Sequence, residues 1–411
     1  MKKNIKPNNW SSEKDFYKYF PKTKEELKQI IENKIKKEGS KCNLNDIDVS
    51  QITDMSYVFH DSEFDGYISN WDVSNVKNMA YMFAGSVFYG NISSWNVSNV
   101  ENMNGMFMNS IFDGDISQWD VSNVKNMSYL FHDSTFNGDI SEWDVSNVEN
   151  MAHMFSKSKF NGDIFYWDVF HVGNMAHMFA GSVFNNNMSE WDVLNVRNMD
   201  SMFAGSEFDG YISNWDVSNV ENMAHMFAGS KFNGDISFWN VSKVRNMECM
   251  FEDSIFNFDI SGWDVSNVEN MAHMFLDSEF NGDISYWDVS KVENMECMFA
   301  GSVFNGDISS WNVSKVENMS GMFMDSVFNG DISSWDLSNV KNMCHMFYHS
   351  EFDGDISDWN VSEVVDMNYV FKESKFNGDL SNWMLNENVS MIETFKYSPL
   401  EKQPNKQPKI L

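Results

Sequence analysis

Residues 119–142 read WDVSNVKNMSYLFHDSTFNGDISE, and close copies of this 24-residue stretch follow one another along the chain. The tryptophans that open the copies stand at 71, 95, 119, 143, 167, 191, 215, 239, 263, 287, 311, 335, 359 and 383, without one insertion or deletion. Independent domains tolerate loops of varying length, whereas stacked coils do not, because a one-residue slip would turn the core outward. The strict period therefore predicts one continuous solenoid.

Each coil is numbered here from its tryptophan, which is position 0. Fifteen coils are expected, the first starting at Ile47, and Met at position 8, Phe at position 12 and Ser at position 15 occur in all of them. Identical aromatic side chains should then stack along the axis, with Phe160 between Phe136 and Phe184 and with Trp167 against Trp191. Since each buried aromatic removes roughly 150–250 Å² from water, these columns are the predicted core.

Two periods within the coil predict its local structure. Trp and Val at positions 0 and 2 alternate with polar residues, which is typical of a short strand with one buried face. Positions 5, 8 and 12 have helical spacing, and Ser146 with Glu149 has the pattern of a capping box that would start a short helix. Asn-Gly or Asp-Gly at positions 18 and 19 predicts a left-handed turn. We expect an α/β repeat with parallel short strands on one face and short helices on the other.

The solenoid predicted for residues 47–398 has a different segment at each end. Residues 1–46 include an amphipathic pattern over 22–37, with a capping box at Thr23 and Glu26, and this helix should cover the first coil. Residues 399–411 read PLEKQPNKQPKIL, a polar and proline-rich stretch that predicts a disordered tail.

The composition excludes several classes of function. The formal net charge is −31, so the body should repel nucleic acid and anionic membrane. No run of 18 apolar residues occurs that could span a membrane. The chain contains none of the sequence fingerprints of nucleotide-binding, hydrolase or metalloprotease sites. We therefore expect neither an enzyme nor a cofactor, and a monomer that binds a protein partner.

Departures from the repeat mark the candidate binding surface. Position 23 should lie on the exposed strand face, and the coil around Trp167 carries large side chains where its neighbours have small or polar ones. Exposed aromatic residues on a rigid face are typical of interface hot spots, although drift in a tolerant surface column is the alternative. The predicted partner-binding residues are Phe165, Tyr166, Phe170, His171, Leu194, Phe238, Tyr286, Asp168 and Asp192.

Two acidic columns, at positions 1 and 20, have several possible roles. Carboxylates in turns commonly accept backbone hydrogen bonds, and they could also attract a basic partner or calcium. The spacing contains no compact DxDxDG loop. The sequence favours the turn role, and an acidic calcium-binding scaffold is kept as the alternative function.

Cysteine and histidine share position 10 of several coils. The chain has four cysteines, Cys42, Cys249, Cys297 and Cys344, without metal-type CxxC pairing. His225, Cys249, His273 and Cys297 would form one column, but a straight column offers a zinc ion at most two neighbouring ligands instead of four converging ones. No metal site is predicted.

The unit WDVSNVxNMxxMFxxSxFNGDIS resembles the repeat of the BspA-like leucine-rich-repeat surface proteins of bacteria, as does the lead-in PKTKEELKQII. The resemblance covers Ile47 to Ser398 and implies a leucine-rich-repeat-like solenoid that binds host matrix or cell-surface proteins. It also implies a surface location. The opening MKKNIKPNNW lacks the apolar run of a secretory signal, which favours a cytoplasmic or non-classically exported protein.

Overall fold

The computed structural model describes residues 16–408, and it confirms a repeat solenoid of stacked 24-residue coils. The described residues contain one α-helix, α1 (Lys24–Glu38), and two 3-10 helices, Pro399–Lys402 and Pro404–Lys406. Consecutive coils are linked by isolated parallel bridges, which run through position 7 from Asp54 and Asn78 to Asp366 and Ser390.

A ladder of backbone hydrogen bonds runs along one side of the solenoid. The Met79 N–H donates to the Asn102 carbonyl of the next coil at 2.9 Å. Two residues further on, the Tyr81 N–H donates to the Asn104 carbonyl at 2.8 Å, and the pattern recurs from coil to coil. The coils are thus joined as neighbouring parallel strands are joined, although each bridged segment is very short.

The predicted short helices and short strands are not formed in the described coils. Positions 10 and 14 have positive φ in every coil, as in Tyr81 (φ 55°) and Gly85 (φ 66°), which a right-handed helix does not allow. The Met82 N–H donates to the Met79 carbonyl at 3.1 Å, closing a turn with a positive φ at its third residue. Successive turns of this kind bury positions 5, 8 and 12 as a helix would, which is why the spacing was ambiguous.

The position-19 glycines have a packing role and do not form the predicted left-handed turn. A Cβ built on Gly114 would lie 2.8 Å from Cζ of Phe112, closer than side-chain atoms pack. Within the coils, the glycines with positive φ lie instead at positions 10 and 14, as Gly105 does (φ 58°). Glycine is therefore used at position 19 so that the backbone can approach the phenylalanine ring two residues earlier.

The predicted aromatic columns are confirmed. The rings of Phe160 and Phe136 stack with centroids 6.4 Å apart, and those of Phe160 and Phe184 with centroids 6.3 Å apart. Trp167 and Trp191 stack at 6.4 Å. These side chains are almost completely buried, so the core is one continuous column of rings under every coil.

The N-terminal cap is close to the prediction. The Thr23 hydroxyl accepts from the Glu26 N–H at 3.2 Å, and Leu27 is buried against the first coil. The Lys34 ammonium lies 2.6 Å from the Asp46 carboxylate, which ties α1 to the loop before the first coil. No helix among the described residues is long and apolar enough to cross a membrane.

The C-terminal segment differs from the predicted disordered tail. Residues 399–408 fold onto the last coils as a second cap, because Leu400 has an apolar side chain that is fully buried there. The Leu380 N–H donates to the Lys406 carbonyl at 2.8 Å, and Gln403 Nε2 donates to Asn377 Oδ1 at 2.7 Å. Residues 1–15 of the N-terminal segment and residues 409–411 of the predicted tail lie outside the described residues.

Candidate functional site

The acidic residues of the candidate surface build turns. Asp168 Oδ1 accepts from the Phe170 N–H at 3.0 Å, and Asp192 Oδ1 accepts from the Leu194 N–H at 3.1 Å. The position-20 column does the same, and hydrogen bonds from the Ser117 N–H and hydroxyl hold the pKa of Asp115 below its usual value. The turn role predicted for both columns is thus confirmed.

Three aromatic side chains of position 23 project almost completely into solvent. Tyr166 is 85% exposed, Phe238 is 88% exposed and Tyr286 is 87% exposed. The coils between them carry polar or small residues in this column, and these are exposed too: Glu190, Asn214 and Gly262. The column therefore presents separate exposed aromatic side chains on an otherwise polar surface.

A closely packed aromatic group surrounds Tyr166, the first of these exposed side chains. The rings of Phe165 and Tyr166 meet edge to face with centroids 4.7 Å apart, and those of Phe170 and His171 meet edge to face at 5.3 Å. Phe170 is 38% exposed, and Phe165 is half-buried. In the next coil Leu194 takes the position of Phe170 and is half-buried. Three successive coils, which open at Trp143, Trp167 and Trp191, thus hold most of the predicted residues, while Phe238 and Tyr286 lie three and five coils beyond Tyr166.

His171 also has a structural role that the sequence did not reveal. Most coils have Asn at position 4, and Asn147 Nδ2 donates to the Ser122 carbonyl of the preceding coil at 2.8 Å. His171 replaces this asparagine, and its Nδ1 lies 2.7 Å from the Ser146 carbonyl. A carbonyl can only accept, so this contact requires hydrogen on Nδ1. His171 therefore ties two coils together as well as bordering the exposed aromatic group.

Position 10 carries a column of stacked polar rings. The column lies on the side of the solenoid that carries the backbone ladder and the positive-φ turns of positions 10 and 14, which is called the turn side. His153 stacks on Tyr129 and on His177, with ring centroids 4.3 Å apart in both pairs. Burial, followed by the charges of His177 and His132, lowers the pKa of His153 to about 4. Since position 10 has positive φ throughout, this column lies on tight turns and not on the predicted helix surface.

The same column contains a grouping that sequence reasoning missed. Ligand atoms of His225, Glu248 and Cys249 lie within 4.8 Å of one another, and those of His273, Glu296 and Cys297 do so as well. Position 10 alone forms a straight column, whereas the third member in each group is the glutamate at position 9. The signal was present in the repeated Glu-Cys pair, each preceded by a histidine in the coil before.

The electrostatics of the two groupings follow from partial burial. All four cysteines of the chain are free thiols, and burial raises the pKa of the Cys297 thiol to about 11. The carboxylate of Asp200, whose Oδ1 lies 3.7 Å from Nδ1 of His225, accepts from the histidine ring and so raises the pKa of His225.

Comparison with known proteins finds one family. The model described as Mycoplasma protein of unknown function, DUF285, matches six overlapping stretches, at residues 25–134, 86–185, 109–208, 181–279, 254–350 and 301–407. No curated protein and no solved structure matches the chain. The tandem-repeat character is therefore confirmed, whereas the resemblance to BspA-like leucine-rich-repeat proteins is not.

Proposed function

We propose that this chain, which belongs to the family described as Mycoplasma protein of unknown function, DUF285, is a non-catalytic scaffold that binds a protein partner. The binding face is the edge that carries positions 23, 1 and 3 of successive coils. The leucine-rich-repeat kinship and the adhesion to host matrix or cell-surface proteins that accompany the BspA-like resemblance are parts of this proposal.

The observation that carries the proposal is the near-complete exposure of Tyr166, Phe238 and Tyr286 in one column. Large aromatic side chains are the usual anchors of protein interfaces, because they bury much area at low cost in side-chain entropy. Nothing in the coil explains these three residues, since Ser94 and Ser310 occupy the same position in other coils.

The scaffold beneath the aromatic residues favours binding without rearrangement. Every coil is anchored to the next by stacked rings, and Trp191 Nε1 donates to the Ile164 carbonyl beneath the aromatic group around Tyr166 at 2.9 Å. Binding to a preorganised surface avoids the cost of ordering loops. The exposed carboxylates of Asp168 and Asp192 border the aromatic group, so a partner with basic residues around an apolar centre would fit it best.

The test removes the three anchors without altering the backbone. The variant Tyr166→Ser/Phe238→Ser/Tyr286→Ser introduces the residue that Ser94, Ser310 and Ser334 already supply in this column. Photo-cross-linking from position 166 first identifies a partner in host-matrix extract or lysate. The affinity of that purified partner is then measured for both proteins. Loss of one good anchor costs about 2 kcal/mol or more, so we expect at least a 30-fold weaker complex.

The matched control removes three other exposed tyrosines from a different part of the coil. Tyr67, Tyr89 and Tyr211 lie at positions 20 and 18, where asparagine also occurs in the chain. The variant Tyr67→Asn/Tyr89→Asn/Tyr211→Asn should keep full affinity. Equal binding by the wild type and the triple-serine variant, with both folded, would refute the proposed surface.

The calcium-binding scaffold is the alternative function, and the turn contacts weaken it. Each position-20 carboxylate already accepts a backbone N–H, as Asp139 Oδ1 does from Ser141 at 3.0 Å. A calcium ion needs six to eight oxygen ligands, and a column of singly engaged carboxylates does not enclose it. Calcium titration by calorimetry should therefore give no heat and no change in melting temperature, and a saturable heat would favour this alternative.

A further inference from the structure

The histidine, glutamate and cysteine groupings on the turn side form two equivalent sites. We propose that His225, Glu248 and Cys249 bind one zinc-class divalent cation, and that His273, Glu296 and Cys297 bind a second. This inference is independent of the proposed function, because the sites use positions 9 and 10 whereas the binding face uses positions 23, 1 and 3.

The backbone ladder brings the three ligands of each site together. The His225 N–H donates to the Glu248 carbonyl of the next coil at 2.7 Å, and the His273 N–H donates to the Glu296 carbonyl at the same distance. The cysteine follows the glutamate directly, so all three side chains emerge at one junction between coils. Their ligand atoms lie within 4.8 Å of one another. Ligands of a tetrahedral zinc lie roughly 3–4 Å apart, a distance that small side-chain rotations reach.

A second contact orients the carboxylate in both sites. Asn270 Nδ2 donates to Glu248 Oε2 at 3.0 Å, and Asn318 Nδ2 donates to Glu296 Oε2 at 3.0 Å. Each asparagine belongs to the coil after the glutamate, so a site is supported by three consecutive coils. Hydrogen bonds of this kind fix metal-binding side chains and strengthen metal affinity.

The first site has an additional orienting group. Asp200 Oδ1 lies 3.7 Å from Nδ1 of His225, on a coil that precedes the histidine. A carboxylate beside one ring nitrogen leaves the other nitrogen available as a metal ligand and makes it more basic. With a cation bound, the first site would have the order of carboxylate, histidine and metal that zinc proteins commonly use.

The donor set selects the class of cation. One imidazole nitrogen, one thiolate sulfur and one carboxylate oxygen suit zinc or cobalt, whereas calcium and magnesium require oxygen ligands only. Three protein ligands leave the fourth tetrahedral position to water or to a group from another molecule. His225 and Glu248 are half-exposed, so this position opens towards solvent.

The chain itself supplies conservative replacements for two of the ligands. Ser201 occupies position 10 with φ 54°, close to the φ of 53° at Cys249, so Cys249→Ser preserves the turn. Ala224 and Ala272 occupy position 9, so Glu248→Ala does too. The same two exchanges apply to Glu296 and Cys297. Unchanged circular dichroism would confirm that the variants fold.

The experiment titrates the chelator-treated full-length chain with Zn²⁺ and, separately, with Co²⁺. The wild type should bind two ions tightly by native mass spectrometry, with the visible absorption of tetrahedral Co²⁺ and a thiolate-to-cobalt charge-transfer band. The Glu248→Ala/Cys249→Ser variant should bind one ion, and the variant with both sites changed should bind none tightly. Zn²⁺ should raise the melting temperature of the wild type but not that of the doubly changed protein.

The matched control is Cys344→Ser, which removes a partly buried thiol outside either group. It should still bind two ions and keep both spectral features. Two outcomes would overturn the proposal: a wild type that binds no ion tightly, or equal tight binding by the wild type and the variant with both sites changed. The second outcome would assign the binding to surface carboxylates.

Discussion

The two sides of the solenoid hold their coils together by different means. On the turn side the links are backbone hydrogen bonds, such as the Met175 N–H to the Asn198 carbonyl at 3.0 Å. On the tryptophan side they are side-chain bonds, such as Trp167 Nε1 to the Ile140 carbonyl at 3.1 Å. Backbone links do not depend on the side chain, so position 10 can vary widely. The tryptophan side depends on the identity of position 0, which does not vary from Trp71 to Trp383.

The largest effect is expected in the core that both sides share. Phe179 is fully buried, and its ring stacks on those of Phe155 and Phe203 with centroids 5.6 and 5.8 Å away. Phe179→Ala should lower the free energy of unfolding by about 3–5 kcal/mol, because it leaves a cavity in a close-packed column. Denaturant unfolding of the full-length chain measures this change in the free energy of unfolding. The control Tyr166→Ser should change it by less than about 0.5 kcal/mol, and similar losses in both variants would contradict the account.

A smaller effect should distinguish the two kinds of link. Trp167→Phe keeps an aromatic ring but leaves the buried Ile140 carbonyl without the indole donor. It should cost about 1–3 kcal/mol in unfolding free energy. The comparison variant, Tyr129→His on the turn side, matches His153 in the same column, which has nearly the same φ, and leaves the backbone link intact. If it cost as much as Trp167→Phe, the contrast between the two sides would be wrong.

The smallest effect concerns the ring column on the turn side. The pKa of His153 is lowered from 6.5 to about 4 in the folded chain, so the unfolded chain binds more protons between these values. The stability that neutral His153 confers is present above pH 6.5 and is lost as the pH falls towards 4. The melting temperature of the wild type should therefore fall relative to that of His153→Tyr, which introduces the residue that Tyr129 places in the same column, as the pH is lowered through this window. A constant difference between them would contradict the assignment.

The sequence predicted the long-range order better than the local backbone. The invariant 24-residue spacing correctly predicted that Phe160 and Trp167 stack on their copies in neighbouring coils. The cap of the N-terminal helix was predicted because the capping box of Thr23 and Glu26 involves only residues three places apart. The predicted helix was wrong because positions 5, 8 and 12 are equally well buried by a series of turns. Gly105 and Gly321 at position 10 indicate a positive φ. The other coils carry His, Tyr or Cys at this position, and because such residues rarely adopt positive φ, the sequence did not predict it.

The candidate sites were predicted unevenly for a related reason. Exposure of Tyr166 and Phe238 follows from strict alternation beside a buried tryptophan, so position 23 could be assigned from the sequence. The contact of His171 with the Ser146 carbonyl was not predicted. The 24-residue period does not show which position-4 side chains reach the preceding coil. The glutamate and cysteine groupings depended on the offset between coils, since His225 meets residues 23 and 24 places further along the chain.

Register is the central claim, and deletion of one coil tests it most directly. Removing residues 311–334 joins Ser310 to Trp335 and leaves every remaining coil with 24 residues. Removing residues 311–333 instead leaves one extra residue at the junction. Thermal unfolding followed by tryptophan circular dichroism should show a cooperative, nearly unchanged transition for the first variant and a strongly lowered or divided transition for the second. Equal behaviour of the two variants would show that the coils are not stacked in register.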